Sequence, residues 1–414
     1  MRLVGLLACA VIMTACARFS QSPLPNTLSN VAEPMRPANG PWLCGSAPSA
    51  QGGASVIEMP DGITYKNIYK FKAGADGGSP YGAVLALNGK LYGTTYAGGK
   101  YGYGVVYETS TAGQEHVLYS FKSGADGAYP CAGPVDVNGK LYGTAAQGGS
   151  KGWGTIYQLS TSGVERTIYT FKAQPDGAAP YGALLPLNGK LYGTTVQGGK
   201  YGYGAVFEST TSGSAHIIYS FHGKDGAYPY CTLIAVNGKL YGTTMQGGTA
   251  NWGVAFSLTT SGTERVLHSF KAQPDGAYPF AGLTAIGTRL YGTAKEGGAA
   301  GYGAAFYVTS SAQEHVVYSF KGGSDGAYPY AGLLARSGVL YGTTYQGGKP
   351  NWGTVFKVAS GRETVLHAFQ AQDNGETDGA YPFGALTSFG GKIYGTAEGG
   401  GINSGWGTIY SLTP

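Results

Sequence analysis

Two glutamates and one recurring aromatic position are the parts of this sequence best suited to chemistry or to ligand binding. Glu296 and Glu398 each stand before a Gly-Gly pair, where most copies of the surrounding motif carry glutamine. Two carboxyl groups on one face can serve a glycosidase as acid and as base or nucleophile. Because these two glutamates lie two repeats apart, we place a glycosidase behind the non-enzymatic alternatives below and predict no catalytic residues.

The aromatic position follows the Gly-Gly pair, in a segment that reads Gly-[Tyr/Trp]-Gly in most copies. Its occupants are Tyr103, Trp153, Tyr203, Trp252, Tyr302, Trp352 and Trp406. Recognition surfaces are rich in such rigid aromatic anchors, and sugar rings stack their C–H faces on them. We therefore predict that this set binds a ligand. The alternative is that the rings lock neighbouring repeats together as part of the core.

Other reactive residue types give weaker indications. One aspartate per repeat precedes a glycine, a pattern typical of turns in which the carboxylate accepts hydrogen bonds from local amides; these are Asp76, Asp126, Asp176, Asp225, Asp275, Asp325 and Asp378. The histidines are dispersed, so we expect no metal site and no cofactor. Cys131 and Cys231 occupy positions where other repeats carry Tyr, Phe or Ala, which favours small buried residues over a disulfide.

These residues are carried by seven copies of one repeat. The tyrosine of the motif L-Y-G-T, or I-Y-G-T in the last copy, recurs at Tyr92, Tyr142, Tyr192, Tyr241, Tyr291, Tyr341 and Tyr394. The period of about 50 residues is typical of propeller blades. Each copy contains four short strand patterns, and Asn138-Gly139 marks a tight hairpin between two of them. A hairpin requires antiparallel neighbours, which excludes a parallel β-helix.

The two ends of the repeat region indicate how the copies assemble. The region begins with a lone first-type strand, residues 63–71, and stops after a fourth-type strand, residues 407–412. Sheets that are apolar on both faces must cover one another, and a closed ring leaves no face exposed. We predict an all-β, seven-bladed β-propeller over residues 61–414, with four-stranded antiparallel blades, in which the N-terminal strand completes the last blade.

The run L-Y-G-T-T-x-x-G-G-x-x-G-x-G, followed by a hydrophobic strand, resembles the GloVer (Gloeo_Verruco) tandem-repeat family of exported bacterial proteins. The resemblance covers about residues 63–414 and recurs seven times. It implies propeller-type repeats and export. It implies no catalytic residues, because the family has no common activity that could be carried over.

The N-terminal segment also indicates export. We predict a lipoprotein-type signal peptide over residues 1–16, with Arg2 before the apolar stretch Leu3–Met13 and with Cys16 as the lipidated residue. Ala15 and Ala17 also fit an ordinary cleavage site, which would give a secreted protein. Residues 17–60 are rich in Ser and Pro and resemble a flexible tether. Both alternatives place the protein outside the cytoplasm, and the first anchors it to a bacterial membrane.

The composition of the chain limits the classes of partner that it is expected to bind. The chain has 73 Gly and 33 Tyr, only 12% charged residues, and a net charge of +5 without a basic run, so we expect no nucleic-acid binding. We predict an exported, non-enzymatic binding protein whose aromatic face holds a polysaccharide, because repeated weak sites gain avidity on a repetitive ligand. A surface-protein partner or a structural role in the envelope is the alternative.

Overall fold

Strands connected by tight turns make up the fold. The computed structural model describes residues 62–413 except residues 73, 372–377 and 402–404. The predicted signal peptide, Cys16 and the tether therefore lie outside the described residues. Within the part that is described, no helix is long and apolar enough to span a bilayer.

Seven antiparallel sheets of the same design follow one another, and we call them blades 1 to 7. Their first strands are Leu85–Leu87, Val135–Val137, Leu185–Leu187, Ile234–Val236, Thr284–Ile286, Leu334–Arg336 and Thr387–Phe389. Their second strands are Lys90–Thr95, Lys140–Ala145, Lys190–Thr195, Lys239–Thr244, Arg289–Ala294, Val339–Thr344 and Lys392–Gly400.

The third strands are Val105–Ser110, Thr155–Ser160, Ala205–Thr210, Val254–Thr259, Ala304–Thr309, Thr354–Ala359 and Thr408–Thr413. The fourth strands of blades 1 to 6 are Glu115–Ser120, Glu165–Thr170, Ala215–Ser220, Glu264–Ser269, Glu314–Ser319 and Arg362–Ala368, and Thr64–Lys70 is that of blade 7. Three further short strands lie outside this four-strand pattern. Gly177–Ala178 pairs with Gln197–Gly198, and Gly379–Pro382 pairs with the second strand of blade 7.

The ring closes as the sequence predicts. Thr64–Lys70 pairs antiparallel with Thr408–Thr413, so that the N-terminal strand completes the blade made by the C-terminal residues. Two threonines of blade 7 donate hydrogen bonds to blade 1, from Thr387 Oγ1 to the Val84 carbonyl at 2.6 Å and from Thr396 Oγ1 to the Gly82 carbonyl at 3.0 Å. First strands of neighbouring blades contact each other, which identifies the first strand as the innermost.

The threonine of L-Y-G-T joins most blades to the next. In six of the seven blades its hydroxyl donates to a backbone carbonyl of the following blade, as from Thr94 to Ala132 at 3.0 Å and from Thr194 to Cys231 at 2.8 Å. The Thr343 hydroxyl of blade 6 has no hydrogen-bond partner among the described residues. At the other six junctions, the residues just before the inner strand thus accept hydrogen bonds from the preceding blade. In blade 2 the inner strand itself therefore begins only at Val135.

An edge-to-face aromatic pair fills every junction between blades. The phenylalanine after each outer strand packs against a ring on the third strand of the next blade, at 4.9–5.3 Å between centroids; the pairs are Phe71–Tyr107, Phe121–Tyr157, Phe171–Phe207, Phe221–Phe256, Phe270–Phe306, Phe320–Phe356 and Phe369–Tyr410. All of these rings are buried. This geometry is the favoured one for two aromatic rings.

The same third-strand rings explain the glycine of L-Y-G-T. A Cβ on Gly193 would lie 2.5 Å from Phe207 Cζ, because that ring covers the glycine from the neighbouring strand. Glycine is tolerated inside a strand where another group approaches this closely. The crowding that requires glycine therefore arises within the blade and not at the propeller axis.

Three of the seven third-strand rings are tyrosines that bury a hydroxyl without a partner, and they generate a prediction. The hydroxyls of Tyr107, Tyr157 and Tyr410 have no hydrogen-bond partner among the described residues, and four blades carry phenylalanine at this position. We expect Tyr157→Phe to raise the free energy of unfolding by about 1 kcal/mol, because a buried unpaired hydroxyl is destabilising by roughly this amount.

Urea denaturation measures that difference. Tyr192→Phe is the matched control, since the Tyr192 hydroxyl donates to Glu208 Oε2 at 2.7 Å, and this variant should be destabilised. A loss of stability in Tyr157→Phe equal to that of the control would contradict the prediction.

Candidate functional site

Two kinds of loop lie side by side on one face of the propeller. One is the Gly-Gly loop that carries the aromatic set, and the other is the loop with the sequence Asp-Gly-Ala-Tyr-Pro in most repeats. In the second repeat the amide of Ala128 donates to the Gln147 carbonyl at 2.8 Å, and the amide of Tyr129 donates to the Tyr103 carbonyl of the preceding repeat at 2.9 Å. We call the surface formed by these two sets of loops the loop face.

The structure divides the predicted aromatic set into two groups. Tyr203 and Tyr302 are exposed. The other five side chains are half-buried and pack against the apolar clusters between blades; they are Tyr103, Trp153, Trp252, Trp352 and Trp406. The four tryptophans are therefore partly joints between blades, and ligand binding by the set stays a prediction.

Several members of the set contact a tyrosine of the next loop. Trp252 meets Tyr278 edge to face at 4.9 Å, and Trp352 meets Tyr381 in the same way at 5.1 Å. The backbone of these second tyrosines is in the left-handed region, with φ of 54° for Tyr278 and 57° for Tyr381. Bulky residues rarely adopt this conformation, so the loop is held in place by its hydrogen bonds and ring contacts.

Exposed rings concentrate on the loop face. Among the described residues, six large apolar side chains are exposed, and four of them are tyrosines of the Gly-Gly loops with 39–47% of their surface accessible: Tyr101, Tyr201, Tyr203 and Tyr302. The loops at residues 100–104 and 200–204 have the same sequence, KYGYG. In both, a lysine lies over the first tyrosine ring, with Nζ 5.4 Å from the Tyr101 centroid and 5.1 Å from that of Tyr201.

A second aromatic cluster, which the sequence analysis missed, lies where the loops of all blades converge. It is formed by the residue after each proline of the Asp-Gly-Ala-Tyr-Pro loops; these residues are Tyr81, Cys131, Tyr181, Tyr230, Phe280, Tyr330 and Phe383. Phe280 and Phe383 come from blades 5 and 7, yet their rings meet at 5.5 Å, while Tyr330 of blade 6 stacks on Phe383 at 5.0 Å. We call this group the axial plug. A recurring aromatic after the proline was the available signal.

Glu398 belongs to this central region, and its register differs from the one that the sequence suggested. Gly399 pairs with Ala380 in the way that Glu296 pairs with Ala277. Glu398 is therefore one residue out of step with Glu296. The last repeat has three consecutive glycines, and the two with left-handed backbone are Gly400 and Gly401, a choice that the sequence alone does not reveal.

The two glutamates consequently have different surroundings. Glu398 is enclosed by tyrosines and accepts a hydrogen bond from Tyr345 Oη at 2.5 Å. Burial raises its pKa to about 7, although hydrogen bonds from Tyr345 and Tyr81 act in the opposite direction. Glu296 is partly exposed and lies 3.0 Å from Lys295 Nζ. A glycosidase pair would need both carboxyl groups at one cleft, whereas these two groups have different partners, Tyr345 for Glu398 and Lys295 for Glu296.

The aspartates that precede glycine accept hydrogen bonds within their own loops, as the turn pattern predicts. Asp126 accepts from the Lys122 amide and from the Tyr119 hydroxyl, each at 2.9 Å. Cys131 and Cys231 are both free thiols, as we expected. Burial raises the pKa of each thiol above its usual range, which disfavours the reactive thiolate.

Comparison with known sequences identifies the repeat. The model of the Gloeobacter/Verrucomicrobia repeat matches residues 44–235 and 186–410, which confirms the resemblance seen in the sequence. A search among curated proteins gave no match.

Solved structures share the fold at low sequence identity. Virginiamycin B lyase from Staphylococcus aureus, in its selenomethionine form, is 18% identical with a TM-score of 0.58, and the match covers 85% of this chain and 99% of that one. A streptogramin B lyase is 15% identical with a TM-score of 0.56, covering 84% and 97%. The S511A mutant of puromycin hydrolase, complexed with PGG, is 12% identical with a TM-score of 0.52, covering 78% and 50%. At these identities the likeness concerns the fold alone.

The burial of Glu398 generates a prediction about pH. Its pKa is near 7 in the folded state and about 4.5 in an unfolded chain, so the folded state retains a proton that the unfolded state releases between these values. The free energy of unfolding should therefore fall as pH rises from about 4.5 to 7. We expect Glu398→Gln to reduce this fall by on the order of 1–3 kcal/mol.

Thermal unfolding followed between about pH 4.5 and about pH 8 provides the measurement. Tyr345→Phe removes a hydrogen bond that lowers the pKa of Glu398, so this second variant should shift the fall in stability to higher pH. If the wild type and Glu398→Gln lose stability in parallel over the whole range, Glu398 is not the group responsible.

Proposed function

This chain belongs to the Gloeobacter/Verrucomicrobia repeat family, and we propose that it is an exported, non-enzymatic binding protein that holds carbohydrate polymers on its loop face. The observation that carries the proposal is the exposure of four tyrosine rings on one face. Rigid aromatic rings are enriched at surfaces that recognise a partner. Tyrosine combines a flat apolar ring with a hydroxyl, which suits a ligand that has both apolar C–H faces and hydroxyl groups.

The spacing of the exposed rings favours a repetitive ligand. The KYGYG loops at residues 100–104 and 200–204 lie two blades apart, and each presents an exposed tyrosine, Tyr101 or Tyr201, beside a lysine. Two such shallow sites on one rigid body bind a polymer more tightly than either site does alone. Neutral and acidic polysaccharides both fit the rings, and the lysine ammonium groups favour acidic ones.

Rigidity of the loops also supports this function. The loop over residues 198–204 illustrates it, because the Gly204 amide donates to the Gly198 carbonyl and the Gly204 carbonyl accepts from the Phe221 amide, at 3.1 and 3.0 Å. A surface that is ordered before it binds loses less conformational entropy on association. Weak contacts with individual sugar rings can then contribute to net affinity.

Other functions would use the loop face differently. A protein partner could dock on the same tyrosines, and a structural envelope component would use them between neighbouring molecules. An enzyme is the least favoured, because Glu398 is half-buried and hydrogen-bonded to Tyr345 beside the axial plug, and Glu296 is ion-paired to Lys295. The names of the lyases and hydrolases that share the fold concern those proteins and assign no activity to this chain.

Carbohydrate binding is tested with a panel of neutral and acidic polysaccharides, using affinity electrophoresis and a glycan array. We expect Tyr201→Ala combined with Tyr203→Ala to weaken binding at least about 10-fold while the Tm changes little, because both rings are exposed. Val164→Ala is the control, since Val164 is 69% exposed in a turn on the opposite face; it should bind like the wild type.

A triple tryptophan variant tests whether these side chains contribute to stability. Trp153→Ala, Trp252→Ala and Trp352→Ala together should lower the Tm by several degrees, because these rings pack between blades.

If no polysaccharide binds to the wild type, carbohydrate is excluded as the ligand. Undiminished binding by the Tyr201/Tyr203 variant would instead remove these tyrosines as the site.

We further propose that Cys16 carries a lipid that anchors the protein to a bacterial membrane, with free secretion as the alternative. The support is the sequence Met13-Thr14-Ala15-Cys16 after an apolar stretch. Cells fed a radiolabelled fatty acid should label the wild type and leave Cys16→Ser unlabelled, and that variant should leave the membrane fraction. Equal fractionation of both forms without label would favour free secretion.

A further inference from the structure

Six of the seven junctions between neighbouring blades bring three polar side chains together near the outer rim, and the junction of blades 2 and 3 has Ala215 at the third position. The first lies two residues before the junction phenylalanine on an outer strand, the second is the aspartate of the following loop, and the third begins the outer strand of the next blade. At the junction of blades 1 and 2 they are Tyr119, Asp126 and Glu165, with the tyrosine hydroxyl 2.9 Å from the aspartate. Tyrosine holds the first position in five of the seven junctions.

The junction of blades 4 and 5 differs because its first residue is histidine. His268 Nε2 lies 2.8 Å from Asp275 Oδ2, and Glu314 completes the group from the outer strand of blade 5. One potential ligand atom from each of the three residues lies within 4.8 Å of the others. Across the described ranges, this is the one group of three or more His, Cys, Asp or Glu side chains with such spacing.

Two oxygens of this group are buried without a hydrogen-bond partner. Asp275 is only 8% exposed, and its Oδ1 has no partner within the described part of the chain. Glu314 Oε1 is buried in the same way. Two adjacent carboxylates enclosed with unpaired oxygens are unfavourable unless a cation or a proton compensates for their charge. Beside a histidine, a metal ion can compensate for this charge.

We propose that His268, Asp275 and Glu314 bind one divalent transition-metal ion, of which zinc is the representative, and that this ion joins the outer strands of blades 4 and 5. A histidine nitrogen with two carboxylate oxygens suits zinc and its neighbours, whereas calcium and magnesium prefer oxygen ligands alone. Zinc lies about 2.0–2.2 Å from nitrogen and oxygen ligands, so a small rotation of side chains brings all three atoms into range. Three protein ligands leave a further coordination position for water.

The chain itself contains versions of the junction that lack one ligand. Between blades 5 and 6, Asp325 and Glu363 face a tyrosine, and Tyr318 Oη lies 3.1 Å from both carboxylate oxygens of Asp325. Between blades 6 and 7, His367 and Asp378 lie 2.9 Å apart, but the third position is Tyr65, whose ring stacks on His367 at 3.8 Å. These natural variants show which substitutions the fold accommodates.

The decisive experiment is equilibrium dialysis of the purified protein against Zn²⁺, followed by metal analysis. We expect the wild type to retain one zinc per chain. His268→Tyr recreates the residue set between blades 5 and 6, and should lower zinc affinity at least about 100-fold without unfolding the protein. Glu314→Ala recreates the alanine found at residue 215, and should lower affinity at least about 10-fold.

A gain of binding provides a test that a merely structural role would not pass. Tyr318→His should build a second site with Asp325 and Glu363, so that the variant retains two zinc ions per chain. Binding of Co²⁺ to the wild type should give visible absorption bands that are absent from His268→Tyr. His116→Ala is the control for adventitious binding, because His116 is exposed and outside the group, and it should bind as the wild type does.

Three outcomes would overturn the proposal. They are a wild type that retains no zinc, unchanged zinc binding in folded His268→Tyr, and a folded Tyr318→His variant that retains no more zinc than the wild type. If His268→Tyr fails to fold, Glu314→Ala and Tyr318→His decide the question in the same assay. The result is independent of carbohydrate binding, which depends on Tyr201 and Tyr203 at the loop face.

Discussion

The contact between an outer-strand phenylalanine and a third-strand ring of the next blade is the interaction on which the rest of the structure depends. A four-stranded sheet that is apolar on both faces needs a neighbour on each side. The edge-to-face pairs, such as Phe171–Phe207, supply that contact at all seven junctions. Because the third-strand ring also covers the second strand, L-Y-G-T must contain glycine at positions such as Gly193. This contact therefore explains both how the blades pack around the propeller and why the L-Y-G-T motif recurs.

The fold could be predicted because its signals are local and repeated. The 50-residue period, the Asn138-Gly139 hairpin and the lone strand before the first full repeat were sufficient for blade number, strand direction and ring closure. The axial plug was missed because its members are about 50 residues apart and meet only after the ring closes. The register of Glu398 was misjudged because three successive glycines allow two alignments, and only the backbone pairing with Ala380 distinguishes them.

The site was predicted only in outline, for a related physical reason. The structure places the Gly-Gly loops and the Asp-Gly-Ala-Tyr-Pro loops on one face, but the sequence does not show how deeply each ring is buried. Tyr203 and Trp252 occupy equivalent positions, yet the tyrosine is exposed and the tryptophan reaches the cluster between blades. The junction of His268 with Glu314 was likewise invisible, since the two residues belong to different blades and to different registers of the repeat.

The axial plug restricts where any ligand can be held. Rings from several blades meet across the centre of the loop face, as Phe280 and Phe383 do, and they occupy the position in which a propeller could otherwise hold a small molecule on its axis. Burial beside them raises the pKa of Glu398 to about 7. The exposed tyrosines lie instead on the loops of individual blades, where they are repeated around the face. This distribution supports the proposal of an extended ligand over a compact one on the axis.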